Sequence, residues 1–191
     1  MAYQTYITEA LVCGSSDSNT ADRSFLLFTR EAGMLHASAK SVREERSKHR
    51  YALQDFSHVR VTLVRGKSGW KVTGAEAIQN FYTHACTRDA RAHVRDIARL
   101  LKRIMRGESP QRDVFDDVVH SFTITNTCEC PKLQTILFLR ILHMCGYIAP
   151  ESPYEKFIRE PLTQALVTEM TEADKAQCCV AIDQALAESH L

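Results

Sequence analysis

The sequence predicts an α+β protein: a five-stranded β-barrel in residues 1–78, followed by an all-helical domain in residues 79–191. Three observations predict it. Apolar residues alternate with a period of two in short runs before residue 78 and recur at spacings of three and four after it. Clusters of Gly, Ser, Asp and Asn divide the early runs, as turns between strands do. The later segments carry caps and stops where helices should begin and end. No flexible linker or low-complexity tract lies at the change of period, so the boundary near 78–86 falls between packed domains.

The barrel strands follow from local chemistry. Residues 5–13 are mostly apolar and β-favouring, and 14–23 read as a polar loop. Residues 24–30 (SFLLFTR) form a second strand, after which Gly33 supplies the positive φ that a tight turn uses. In 34–40, Leu35, Ala37 and Ala39 share one face, with His36, Ser38 and Lys40 on the other. Residues 58–65 set Val59, Val61 and Leu63 against His58, Arg60 and Thr62. Gly66-Lys67-Ser68-Gly69 is a hairpin loop, and 70–75 is the last strand, with Trp70 and Val72 opposite Lys71 and Thr73. Five such strands, with one longer loop before the fourth, fit a barrel of the oligonucleotide-binding (OB) type. A strongly bent sheet of another topology is the alternative.

The clearest helix is 88–106, with Val94, Ile97, Leu101, Ile104 and Met105 on its apolar side. Gly107 stops it. Ser109-Pro110 predicts a new helix to about residue 122, with Asp113, Asp116 and Asp117 in its early turns. Residues 123–129 are a loop, and Cys130-Pro131 opens a helix that is apolar nearly all round and ends at Gly146, the buried centre of the helical domain. Residues 154–169 hold two short helices broken at Pro161. Thr171, with Asp174 three residues on, begins the last helix.

Charge is segregated. Residues 40–71 hold nine Lys/Arg against three Asp/Glu, and 88–106 hold seven against two, while 107–191 hold six against thirteen. Such asymmetry points to a polyanion partner; the plainer reading is that the acidic part neutralises the basic part internally. Lys40, Arg43, Arg46, Lys48 and Arg50 sit in or beside one loop, and Arg60, Arg65, Lys67 and Lys71 lie on the strands and turn after it. On a barrel, several of these line one groove, with Tyr51, Phe56 and Trp70 nearby. Stacking on aromatics accompanies phosphate contacts in single-strand binding, although Trp70 is better placed to pack. Arg88, Arg91, Arg95, Arg99, Lys102 and Arg106 form a cationic stripe suited to DNA, to an acidic peptide tail, or simply to water.

Catalytic signatures are missing. Gly66-Lys67-Ser68 resembles the end of a phosphate-binding loop, but the glycine required five residues earlier is Val61. No nucleophile elbow, zinc-protease motif or dinucleotide turn occurs, and Asp116-Asp117 reads as a solvated helix face. Cys128-Glu129-Cys130 has no second paired cluster to complete a zinc site, and the adjacent Cys178-Cys179 diverge on a helix. Seven irregularly spaced cysteines are expected to be free thiols, and no cofactor or metal is expected. No apolar run is long enough to span a membrane and the N-terminus lacks the pattern of a signal peptide, so a cytosolic protein is expected.

Residues 28–57 resemble the N-terminal domain of the bacterial RecO recombination mediators. The matching pieces are FTREAG (28–33), AKSVRE..SKHR (39–50) and ALQDFS (52–57), joined by VTGAEA (72–77) and, in the helical part, ILHMCGYIAP (141–150). The resemblance implies an OB barrel followed by a helical domain, and a DNA-repair protein without catalytic chemistry. It implies binding of single- and double-stranded DNA, annealing of complementary strands, and assistance in loading the RecA recombinase on strands coated by single-stranded-DNA-binding protein (SSB). RecR and the acidic C-terminal tail of SSB are the implied partners, and a bacterial, nucleoid-associated setting the implied location. Lys40, Arg43, Lys48 and Arg50 match basic positions of the family segment. The cysteine cluster that many members carry after the Gly-Tyr junction is replaced here by Ile-Ala-Pro-Glu-Ser-Pro-Tyr, so no zinc is expected. Two rival readings are an interaction adaptor that binds SSB or RecR but little DNA, motivated by the acidic helical half, and a metal or thiol enzyme, motivated only by the cysteines.

Overall fold

The computed structural model describes residues 4–18, 22–42, 44, 47, 49–127, 130–149 and 154–188. The chain divides into two compact units, one of Met1–His84 with Met105–Phe115, the other of Ala85–Ile104 with Asp116–Leu191.

The first unit is a sheet closed into a ring in the order β1-β2-β3-β5-β4. Its strands are β1 (Thr5–Asp17), β2 (Arg23–Thr29), β3 (Gly33–Ala39), β4 (Ser57–Gly66) and β5 (Gly69–Asn80), with the short helix α1 (His49–Ala52) between β3 and β4. β1 pairs antiparallel with both β2 and β4, which closes the ring, while β3 and β5 run parallel. This is the OB-type barrel that the strand pattern predicts. The inward positions are those of the period-two reading: Val59, Val61 and Leu63 from β4, Leu35, Ala37 and Ala39 from β3, Trp70 and Val72 from β5, with Ala10, Val12, Phe25 and Leu27 completing the core.

Two strands outrun their sequence boundaries. Residues 14–17 are strand, not loop: Gly14 to Asp17 pair with Leu26 to Arg23, and an Arg23–Asp17 ion pair of 2.9 Å closes the end. Cys13 is the extra residue of a bulge that resets the register. Cross-strand pairing overrides the turn preference of Ser and Asp here. β5 likewise continues past Ala75 to Asn80, its register with β4 adjusted by two bulges.

The outer face of β1, β2 and β4 is also covered. Register places Leu11 between Phe28 and His58. His58 stacks on Phe81 of α2 (Phe81–His84), and Phe115 meets both His58 and Phe28 at 5.6–5.8 Å. Burial pulls the His58 imidazole below its ordinary pKa, against the opposing pull of Glu9, whose carboxylate lies 2.9 Å away.

Phe115 belongs to a stretch that the sequence reading assigns elsewhere. The predicted helix starting at Pro110 begins instead at Arg112, as α4 (Arg112–Ile124), and the cationic helix α3 (Arg88–Ile104) stops before Met105. Residues 105–111 form an irregular segment with a bend at 107–108, held by barrel contacts. The Met34 N–H donates to the Gly107 carbonyl at 3.1 Å, Trp70 Nε1 donates to Glu108 at 3.0 Å, and Arg112 pairs with Glu31. Gly33, at φ +68, is the socket: a Cβ there would stand 2.2 Å from the Ser109 carbonyl oxygen.

In the second unit α5 (Cys130–Met144) is central, with Leu133, Ile136, Leu137, Leu139, Ile141 and Leu142 all buried. It packs against α3, α6 (Glu155–Arg159), α7 (Gln164–Glu169) and α8 (Glu172–Glu188). Gly146, at φ +81, ends α5 with both hydrogen bonds of a Schellman motif, Gly146 N–H to His143 and Tyr147 N–H to Leu142. Thr171 and Asp174 form the reciprocal cap of α8, which holds the Asp174 carboxyl below its usual pKa. Asp117 is not part of a solvated face. It pairs at 3.1 Å with Arg140, a buried cation that also donates to the carbonyls of Phe157 and Glu160 and so ties α6 to α5. No helix among the described residues is long and apolar enough to cross a membrane.

His93 on α3 is fully buried. Ser121 donates its hydroxyl proton to the Val118 carbonyl, so its oxygen accepts from His93 Nε2–H at 3.3 Å, and Nδ1 is left without a partner. Burial lowers the His93 pKa to about 4.

Two predictions follow from these contacts. Gly33→Ala should lower stability by roughly 3 kcal/mol, since it combines a left-handed backbone penalty with a backbone clash; urea denaturation measures it. Because the folded pKa of His93 lies below the unfolded value, the unfolded chain binds the extra proton as pH falls. Stability should therefore be complete above pH 6.5 and decline by roughly 3 kcal/mol on the way to pH 4. In His93→Gln this part of the acid loss should disappear from the pH dependence of the urea midpoint.

Candidate nucleic-acid interface

The parallel neighbours β3 and β5 place Ser38 beside Lys71. The β2–β3 register adds Leu26 opposite His36 and Ser24 opposite Ser38. Since Phe25, Leu27, Leu35 and Ala37 point into the barrel, this second set points outward, and all of it is exposed or half-buried. The result is a face of two small hydroxyls, the half-buried Leu26, one imidazole and the Lys71 ammonium, with Lys40 just beyond the end of β3. OB barrels bind oligonucleotides on the β2–β3 face and the adjoining β1–β2 and β4–β5 loops. Here the β4–β5 loop carries Lys67, and the Lys71 ammonium lies over it: a Cβ on Gly66 would stand 3.8 Å from Nζ.

The structure sorts the cations proposed from sequence. Among the described residues Lys40, Arg50, Lys67 and Lys71 make no ion pair, and Arg50 stands on α1 beside Tyr51, which is 70% exposed. Arg60 lies on a different stretch of the outer surface, between Glu9 on β1 and Glu76 on β5, with Glu76 at 3.8 Å. Arg65 pairs with Glu108 at 3.2 Å and lies 5.3 Å from the centre of the Trp70 ring. Trp70 is core, not platform: it is buried, hydrogen-bonded to Glu108 and edge-on to Tyr6 at 5.1 Å. Phe56 is half-buried and stacks on Tyr82. Arg43, Arg46 and Lys48 lie outside the described residues, as does Cys128.

The helical stripe also divides. Arg88, Arg91, Arg95, Arg99 and Lys102 are exposed on α3, whereas Arg106 follows the helix end in the stretch that belongs to the barrel unit. Asp96 bridges Arg95 and Arg99 at 3.0 and 3.4 Å. Arg95, Arg99 and Arg103 rim a groove of about 310 Å³ whose apolar wall is Leu100, Phe138 and Leu186.

Sequence reasoning missed the carboxylates that engage Arg60 and Arg65, because Glu9, Glu76 and Glu108 reach them only through strand pairing and chain return. The outward alternation of Ser24 and Leu26 was available in the period-two pattern.

Lys71→Gln should weaken single-strand binding and reduce the log–log salt slope by about 0.7, the loss of one phosphate contact. Arg60→Gln, between two carboxylates, should leave the slope unchanged; anisotropy titration of both variants measures the contrast.

Residues 1–81 match the family model described as "Recombination protein O N terminal". The chain is 30% identical over 142 residues to a protein named DNA repair protein RecO from Heliobacterium modesticaldum, covering 74% of this chain and 52% of that protein. It is 28% identical to proteins of the same name from Desulfitobacterium hafniense (74% of this chain, 52% of the relative) and Dehalococcoides mccartyi (73% and 56%). The chain thus spans about half the length of the curated relatives it matches.

Proposed function

The chain belongs to the RecO family of bacterial DNA repair proteins, and from that premise we propose that it is a DNA-binding recombination mediator that acts without catalytic chemistry. The observation that carries the proposal is the outward pair Ser38 and Lys71, with Lys40 just past β3 and Lys67 in the β4–β5 loop: these cations make no ion pair among the described residues and belong to the face and loop that OB barrels use. Phosphates neutralised there release counterions, which supplies sequence-independent affinity. Arg43, Arg46, Lys48 and Arg50, the basic positions of the sequence between β3 and β4, are proposed to contribute as well. Annealing follows when two strands are held on cationic surfaces that screen their mutual repulsion, and the exposed α3 stripe offers a second such surface.

The partner assignments build on family membership. The groove beside α3 suits a short acidic peptide with an apolar anchor: Arg95, Arg99 and Arg103 meet its carboxylates while Leu100, Phe138 and Leu186 take the anchor. We assign the acidic tail of SSB to this groove. RecR binding and assistance to RecA loading complete the proposed role.

Fluorescence anisotropy of a labelled single strand, titrated across salt, tests the reading. Binding should fall with a log–log slope of roughly −3 or steeper, given four or more neutralised phosphates. Reversal of Arg43, Arg46 and Arg50 together to Glu should abolish binding while leaving the circular dichroism spectrum unchanged. An unchanged affinity would remove the loop from the interface. No binding by the wild type at low salt would leave the adaptor reading, to be tested with an SSB tail peptide on the α3 groove.

A further inference from the structure

We propose that Glu108 is an internal stand-in for a DNA phosphate: its carboxylate occupies a phosphodiester subsite built by Arg65 and the indole N–H of Trp70, and a bound strand displaces it. The inference rests on the DNA-binding reading above and adds to it a subsite and a means of selection.

The geometry is that of an anion site. One carboxylate oxygen of Glu108 accepts from Trp70 Nε1 at 3.0 Å, and the other pairs with Arg65 Nη1 at 3.2 Å. Two oxygens of one anion are thus taken by two donors from different positions of the β4–β5 hairpin, the arrangement by which two oxygens of a phosphodiester are held. The donors are fixed in advance. Trp70 is buried with only its polar edge needing a partner, and the Arg65 guanidinium rests over its ring. The Arg65 and Glu108 side chains are 62% and 40% exposed, so the pair is open to solvent and weak enough for a competing anion to break.

The surroundings favour a polyanion as competitor. Lys67 and Lys71 flank the same hairpin, Lys71 with its ammonium over Gly66. The tip of the hairpin therefore carries three cations, Arg65, Lys67 and Lys71, and Glu108 is the carboxylate that pairs with one of them. An isolated small anion gains little by replacing Glu108, because one negative charge is exchanged for another. A strand whose adjacent phosphates also meet Lys67 and Lys71 gains at every contact. Glu108 thereby sets a threshold that discriminates a nucleic-acid backbone from single anions. The backbone on either side of Glu108 is fixed, by the Met34–Gly107 hydrogen bond and the packing of Ser109 on Gly33, so displacement is a rotation of the Glu108 side chain, already 40% exposed, into solvent.

The test is Glu108→Gln in the full chain, with a labelled oligothymidylate as probe. Glutamine keeps an acceptor for the indole and removes the charge that competes with phosphate. The expected result is binding about three- to tenfold tighter, with a salt slope steeper by about 0.7, one more phosphate contact on a single strand. The gain should vanish in Arg65→Gln/Glu108→Gln. It should be absent in Glu76→Gln, which removes an equal charge elsewhere on the barrel. Wild-type affinity in Glu108→Gln, an equal gain in Glu76→Gln, or a gain that survives loss of Arg65 overturns the inference and leaves DNA binding itself standing. Absence of binding by the wild type and every variant at low salt overturns the DNA reading and the inference together. The chain has one tryptophan, so a second measurement needs no variant. Trp70 emission should change as oligothymidylate saturates the wild type, and saturation with unchanged emission overturns the displacement step.

Discussion

The close approach of Ser109 to Gly33 organises the barrel unit. A turn between two antiparallel strands ordinarily needs only a residue that tolerates positive φ. Here the same glycine must also have no side chain, because another backbone occupies the space a Cβ would take. That contact, with the Met34–Gly107 hydrogen bond and the Arg112–Glu31 pair, holds residues 105–115 on the barrel. Phe115 is thereby placed over Phe28 and His58, and Glu108 is delivered to Trp70 and Arg65. A barrel whose outer cover comes from chain beyond α3 cannot be completed by residues 1–84 alone. The helix between them is bracketed in sequence by two stretches of one unit.

Buried polar groups do a comparable job in the helical unit. Arg140 sits on the most apolar helix of the chain, where a bare cation would be intolerable. It is kept there by one carboxylate and two carbonyls, that of Phe157 within α6 and that of Glu160 at its C-cap. Arg140 is thus a structural tie between α5 and α6. His93 shows the opposite balance: its ring packs edge-on to Phe122 and one nitrogen is satisfied by Ser121, while the other is left bare. A neutral imidazole tolerates that arrangement; an imidazolium does not.

The same logic separates the basic residues by function. A lysine or arginine contributes to polyanion binding only in so far as its charge is not already met by a neighbour. Arg60 stands between two carboxylates through strand register, Arg65 faces Glu108, and Arg95 and Arg99 share Asp96. Lys40, Lys67 and Lys71 make no ion pair among the described residues, and Lys71 stands beside Ser38 on the β3–β5 face. Net charge, which is nearly zero for the whole chain, conceals this division.

Local periodicity determined the strands, the inward residues of β3, β4 and β5, the long helices and their caps, because each depends on side chains a few positions apart. The Thr171–Asp174 cap and the Gly146 stop were legible for that reason. So were the candidate cations of the β3–β5 region, since lysines and arginines are visible wherever they point. Tertiary structure decided what each cation faces, because register brings Glu76 to Arg60 and chain return brings Glu108 to Arg65. It also decided where α4 begins. Ser109-Pro110 carries a good helix-start signal, but barrel contacts hold those residues out of the helix and outweigh a cap worth about 1 kcal/mol. Strand ends at Asp17 and Asn80 were hidden likewise, since a ladder extends as far as its partner does, whatever the local preference of Ser, Asp or Asn.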